Sequence, residues 1–159
     1  MLTIQPYTSE YQQQVIELIL AIQQEFGIAI TLADQPDLLE IPQIYQSGKG
    51  NFWLAIAQKQ VVGTIALIDL GNGQAVIRKM FVQANYRKQQ IGQTLLKTLL
   101  NWSSQQGFKQ LYLGTTEQFK AAHRFYEKNG FVQITPVELP TAFPLIAVDT
   151  RFYRYCLSE

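Results

Sequence analysis

The sequence predicts a mixed α/β fold of the α+β type, with about four helices covering a mostly antiparallel sheet of six or seven strands. Three observations carry this reading. Apolar runs at 52–57, 61–70 and 75–82 follow one another with only short breaks, as in an antiparallel meander. Two segments with helical spacing, 91–106 and about 118–129, each run into Gly-Phe. Shorter apolar runs lie between and after them, at Leu111-Tyr112-Leu113, near Val132 and at about 150–157. With 159 residues and 47% hydrophobic side chains, the chain is long enough to bury its own core, and 1–159 is taken as a single domain.

In chain order, Leu2 to Tyr7 is a short strand candidate. Ser9 with Gln12 fits a capping box, after which Val15, Leu18, Ile19, Ile22 and Phe26 repeat at helical spacing as far as Gly27. From Ile28 to Gly50 the pattern loosens. Pro36 starts a helical stretch through Leu38, Leu39 and Ile41, which Pro42 interrupts. Breaks in the meander fall near Lys59 and at Gly71-Asn72-Gly73, and Gln83 to Gln90 is a polar connection. Ile91, Leu95, Leu99 and Trp102 form one stripe of the next helix, and Ala122, Phe125 and Tyr126 mark the inner side of the last. Pro136, Pro140 and Pro144 punctuate the loop before the final strand.

Composition excludes several classes. A net charge of +1 gives no footprint for nucleic acid, and no partner of that kind is expected. No basic leader precedes an apolar stretch, and nowhere do ~18 apolar residues run together, so a cytoplasmic protein without a membrane partner is expected. The lone Cys156 has no disulfide partner and no fellow ligands, so no metal is expected, and it reads as a buried strand residue.

The chemistry gathers at two junctions. After 75–82 comes Asn85-Tyr86-Arg87-Lys88-Gln89-Gln90-Ile91-Gly92-Gln93, a polar turn entering a helix. Unpaired N–H groups at such a helix start suit a phosphate, Arg87 and Lys88 stand at its mouth, and Gly92 permits close approach. The second junction runs from Leu111 through Gly114 and Ala122 to Tyr126, Gly130 and Phe131.

Together these resemble the GNAT superfamily of acyl-CoA-dependent N-acyltransferases. Its last helix has the form A-x-x-x-Y-x-x-x-G-F, matched by Ala122, Tyr126, Gly130 and Phe131, and its acyl-CoA loop, R/Q-x-x-G-x-G/A, resembles Arg87 to Gly92. The resemblance implies an N-acetyltransferase in which a neutral primary amine, on a small molecule or a protein, attacks acetyl-CoA directly. It implies that Met80, Phe81 and Val82 pair with the pantetheine arm. Arg87, Lys88, Gln89, Gln90, Ile91, Gly92 and Gln93 would meet the pyrophosphate, and Tyr126 would protonate the leaving thiolate. A homodimer through the C-terminal strands is considered by the same analogy.

The sequence also departs from the family. Gln90 replaces the usual first glycine, which weakens the expected cofactor binding without removing it; backbone N–H groups can still point at pyrophosphate if Gln90 avoids positive φ. A carboxylate common on the fourth strand falls at Val76, and an asparagine common early in the last helix falls at Phe119. These departures keep open the alternative of a non-catalytic acyl-CoA-binding module. For the base, Glu117 reads as complementing a helix start and His123 as an exposed helical residue, which leaves water to relay the proton. Arg78 and Lys79, successive in a strand, should point to opposite faces. The resemblance places acceptor recognition in 24–51 and 135–149; Glu25, Asp34, Asp37 and Glu40 in the first read as solvated carboxylates, with recognition of a cationic amine as the alternative.

Overall fold

A computed structural model describes residues 1–157, so the unit 1–159 expected above extends two residues beyond those described. Seven strands form one sheet: β1 (Leu2–Pro6), β2 (Asn51–Ala57), β3 (Gln60–Gly71), β4 (Gln74–Val82), β5 (Gln110–Thr115), β6 (Val132–Ile134) and β7 (Arg151–Cys156). Their spatial order is β1-β2-β3-β4-β5-β7-β6, and every pairing is antiparallel except β4 with β5. The helices are α1 (Gln12–Glu25), the short α2 (Ile41–Ile44), α3 (Ile91–Gln105) and α4 (Lys120–Lys128).

The meander forms because its turns are tight. Gln58 and Lys59, then Asn72 and Gly73, hold positive φ in two-residue links whose twist matches the strands they join. Both sheet faces are apolar and both are covered. On one, Val15, Ile19 and Ile22 of α1 meet Phe52, Leu54 and Ala66. On the other, Leu95 and Leu99 of α3 with Tyr126 of α4 meet Ile65, Leu67 and Ile77. Gly107 and Gly130 close α3 and α4 at φ +83 and +92, and Phe131 N–H bonds back to the Tyr126 carbonyl.

Several local expectations change. The Ser9–Gln12 box does not form: Ser9–Tyr11 is a 3-10 turn, and α1 starts at Gln12 without a side-chain cap. Capping boxes sit instead at Thr31/Asp34 and Thr135/Glu138. Pro42 opens α2 rather than interrupting a helix, since the first turn needs no N–H there. Cys156 is exposed at the end of β7, not buried. No helix of the described residues is long and apolar enough to cross a membrane.

The feature that positions the site lies in β4. It pairs with β5 only over Gln74–Val76 against Gln110–Tyr112, while its pairing with β3 continues to Val82. Beyond Val76 the two parallel strands splay, leaving the β4 edge from Ile77 onward without a partner on that side. Within this stretch the β3–β4 register shifts, from Ala66↔Arg78 to Thr64↔Phe81. Lys79 is the extra residue, at φ +56, and Thr64 Oγ1 donates to its carbonyl at 2.6 Å.

Candidate active site

Two connected spaces open along the splayed edge. One is a groove of about 520 Å³ between the end of β4 and the starts of α3 and α4. The other is a cleft of about 400 Å³ between β4 and β5. Met80, Phe81, Phe119 and Ala122 line both.

The groove carries three cations, Arg87, Lys88 and Lys128, with Val82, Gln90, Gly92 and Gln93 also in its wall. Gln90 is the N-cap of α3 at φ +63, the left-handed conformation that a glycine holds without steric cost. The condition set for Gln90, that it avoid positive φ, is therefore not met. The chain still turns into the helix as a glycine would turn it, and the first α3 bond runs from Thr94 N–H to the Gln90 carbonyl. The N–H groups of Ile91, Gly92 and Gln93 precede that bond and have no intrahelical acceptor. A Cβ on Gly92 would stand 3.0 Å from the Met80 methyl, so its smallness matters to the groove wall. The Gln89 and Ile91 side chains do not line the groove: Gln89 is exposed, and Ile91 is buried in the core beneath α3.

Gln90→Gly should raise stability by roughly 0.5–1 kcal/mol, relief of left-handed strain outweighing the added chain entropy. A higher denaturation midpoint is the result expected. A lower midpoint would show that Gln90 makes compensating contacts.

Arg87 is not a free cation. It forms a two-point pair with Glu25 at 2.7 and 2.8 Å, donates from Nε to the Val82 carbonyl at 2.9 Å, and lies 5.1 Å from the Phe26 ring centre. Hydrogen bonding to this guanidinium lowers the Glu25 pKa. Phe119, where the family asparagine was sought, packs edge-on against Phe26 and Phe81. Gln93 donates to Asn129 at 2.8 Å, tying α3 to the end of α4.

The cleft holds the titratable groups. Tyr126 lines it from α4, with its ring packed among Phe125, Phe131 and Tyr153. Burial alone raises its hydroxyl well above the usual value, so it stays protonated. Lys79 is buried, and its Nζ meets Gln35 at 2.7 Å and Asp37 at 3.3 Å. Burial lowers its pKa to about 8, with Asp37 acting in the opposite sense. Asp37 also accepts from Tyr45 at 2.5 Å, and Gln35 exchanges two amide hydrogen bonds with Gln23 of α1.

Of the four carboxylates expected to be solvated, Glu25 and Asp34 are exposed though bonded to Arg87 and Thr31, and Asp37 is half-buried against Lys79. Arg78 lines the same cleft as Lys79, against the expectation of opposite faces, because the bulge re-aims the strand between them.

Asp149, from the loop before β7, was not anticipated. Burial pushes its carboxyl up to about 6 against the pull of Arg78 and Lys79. Its Oδ2 would lie 2.6 Å from a Cβ at Gly114, so only glycine on β5 admits it. A lone glycine inside a strand pattern signals such an approach, and that is where the sequence carried the clue.

The other base candidates fall outside the cleft. Glu117 accepts from Thr150 at 3.1 Å. His123 is buried rather than exposed, its Nε2 2.8 Å from the Thr116 carbonyl. Val76 does line the cleft, packed with Tyr112, Ile134, Phe143 and Phe152, but carries no group that could take a proton. Among the described residues no cluster of His, Cys, Asp or Glu could hold a metal.

Known proteins share this fold. The chain is similar to N-acetylaspartate synthetase of Xenopus tropicalis, 32% identical over 130 residues, which are 76% of this chain and 48% of that protein. It spans about half the length of the curated relatives it matches. It superposes on an acetyltransferase of the GNAT family from Staphylococcus aureus Mu50 with a TM-score of 0.97 and 42% identity, covering 99% of this chain and 100% of that one. A PaiA N-acetyltransferase from Thermoplasma acidophilum, in complex with coenzyme A, shares the fold at a TM-score of 0.76 and 19% identity, covering 99% of each chain. The sequence profile of the GNAT acetyltransferases matches residues 16–131, which take in β4, the glutamine-capped start of α3 and the whole of α4. By that match the chain belongs to the GNAT acetyltransferase family.

Proposed function

We propose that the protein is an N-acetyltransferase that moves the acetyl group of acetyl-CoA onto a primary amine by direct attack, with Tyr126 as general acid and Asp149 as general base. One observation carries the reading. A single unpaired strand edge serves two connected spaces, one bearing three cations and the other holding a protonated phenol and a carboxyl with a pKa of about 6.

The groove suits an acyl-CoA. Lys88, Lys128 and the first N–H groups of α3 offer charge and donors to phosphates, and Arg87 joins them by exchanging Glu25 for the ligand. Met80, Phe81 and Val82 offer backbone groups and apolar contact to the pantetheine arm. Bound acetyl-CoA supplies an activated thioester carbonyl.

Asp149 takes one proton from the incoming ammonium, leaving the neutral amine whose nitrogen forms the new C–N bond. Tyr126 gives its hydroxyl proton to sulfur as the C–S bond breaks. A second amine proton, shed as the amide forms, returns to the Tyr126 oxygen through water. The products are the N-acetyl amide, free CoA thiol and one proton to solvent. A Tyr126 pKa above that of a thiol makes the proton transfer uphill, so the larger part of its effect is hydrogen bonding to charge developing on sulfur.

Thermal unfolding with and without acetyl-CoA tests the donor site. A ligand at about 100 times its dissociation constant adds roughly 2.7 kcal/mol. The upward shift should shrink in Arg87→Ala, each protein being compared with its own ligand-free state because the Glu25 pair is lost as well. No shift with acetyl-CoA or longer acyl-CoAs would sink the proposal. Thiol release with a panel of amines then separates transfer from the alternative, a module that binds acyl-CoA without turning it over.

A further inference from the structure

Of the five charged side chains that line the cleft, Lys79 and Asp37 form an ion pair and Asp34 is tied up locally. Lys79 is held by Asp37 and Gln35, and Asp34 closes the capping box on Thr31. Arg78 and Asp149 are different. Arg78 is half-buried on β4, immediately before the bulge, and lines the cleft. The ion pairs among the described residues are Lys79–Asp37, Arg87–Glu25 and Arg151–Glu127, and neither Arg78 nor Asp149 takes part in any of them.

The two are close enough for Arg78 to pull on the Asp149 carboxyl, yet burial outweighs that pull. A half-buried guanidinium without an anion forfeits part of its solvation, and its planar fork matches a carboxylate at two points. The cleft therefore offers one site for an anion and, beside it, one for an ammonium. Phe143, Ile146 and Val148 line the same space and give an apolar wall for a third substituent.

We infer that the acceptor is an α-amino acid, whose carboxylate is bound by Arg78 while its amine faces Asp149 and its side chain lies against the loop 143–148. The inference rests on the transfer reading above and sharpens it. An amine without a carboxylate leaves Arg78 unanswered, and an internal lysine of a protein presents no free carboxylate beside its amine. Arg78 acts here as a specificity residue, through the carboxylate rather than through the reacting atoms.

The test uses three forms of one acceptor with saturating acetyl-CoA. The twenty amino acids are screened by thiol release, and the best is compared with its amide and with its decarboxylated amine. The acid should exceed both by about 10²-fold in kcat/KM, with the difference mainly in KM. Arg78→Met should bring the acid-to-amide ratio close to one, and Arg78→Lys should restore part of it. Retention of the acetyl-CoA thermal shift verifies that each variant is folded, since Arg78 lies outside the groove.

Equal use of acid and amide by the unaltered enzyme overturns the inference while leaving acetyl transfer standing. So does a preference that survives in Arg78→Met. If acetyl-CoA binds but no amino acid, amine or peptide is acetylated, the transfer reading itself fails and takes this one with it.

Discussion

Asp149→Asn should lower kcat/KM by about 10²–10³-fold, because the amine then has no positioned group to take its proton. The variant should also lose a feature of the pH profile. The Asp149 carboxyl is held near 6, above the ordinary 3.8, chiefly by burial. Only the ionised form is a base, so unaltered activity should fall as pH drops through about 6. In Asp149→Asn that limb should vanish.

Stability should move the other way. A carboxyl whose pKa rises on folding takes up a proton on folding between pH 3.8 and about 6, so stability is greatest below this window and declines as pH rises through it. Above pH 6, Asp149→Asn should therefore be more stable, by of order 1–2 kcal/mol, which excludes unfolding as the cause of lost turnover. An unchanged pH limb in the variant would transfer the role to water or another group.

Tyr126→Phe should cost roughly 10²-fold in kcat, with little change in acetyl-CoA affinity or in melting temperature. The ring stays packed against Phe125, Phe131 and Tyr153, and the lost hydroxyl is one whose raised pKa comes from burial alone, with no hydrogen-bond partner contributing. Losing that hydroxyl should cost the core little, whereas in the proposed reaction it removes the donor assigned to the departing thiolate. Pre-steady-state measurement of the chemical step distinguishes a true loss from one hidden behind product release. Full turnover in Tyr126→Phe would leave this residue as a core aromatic and nothing more.

Much of the fold was legible because each element carried its own periodicity and stop signal. Gly107-Phe108 and Gly130-Phe131 ended α3 and α4 within a residue or two of where the spacing put them. One wall of the groove, from Met80 to Gln93, is nearly continuous in sequence, whereas Ile22 and Phe26 of the α1 end and Lys128 of α4 join it only through the fold. The cleft was not legible, because its chemistry is assembled by tertiary contact. A bulge at Lys79 cannot be read from a run that alternates well enough without it, and its effect is to bring Arg78 and Lys79 into one space. Asp149 lies among prolines in a loop with no period, and only the contact with Gly114, 35 residues earlier by number, gives it meaning. His123 looked exposed because helical spacing does not reveal that a carbonyl at Thr116 waits beneath it.

The shared wall has a consequence for how kinetics on this protein are to be read. Met80, Phe81, Phe119 and Ala122 belong to groove and cleft alike. If the two spaces take donor and acceptor as proposed, a substitution at any of them should change the Michaelis constants of both substrates together. The two constants come apart only toward the extremities, at Lys88 and Lys128 on one side and at Arg78 and Asp149 on the other. For a two-substrate enzyme built along a single strand edge, the middle reports coupling and the ends report recognition.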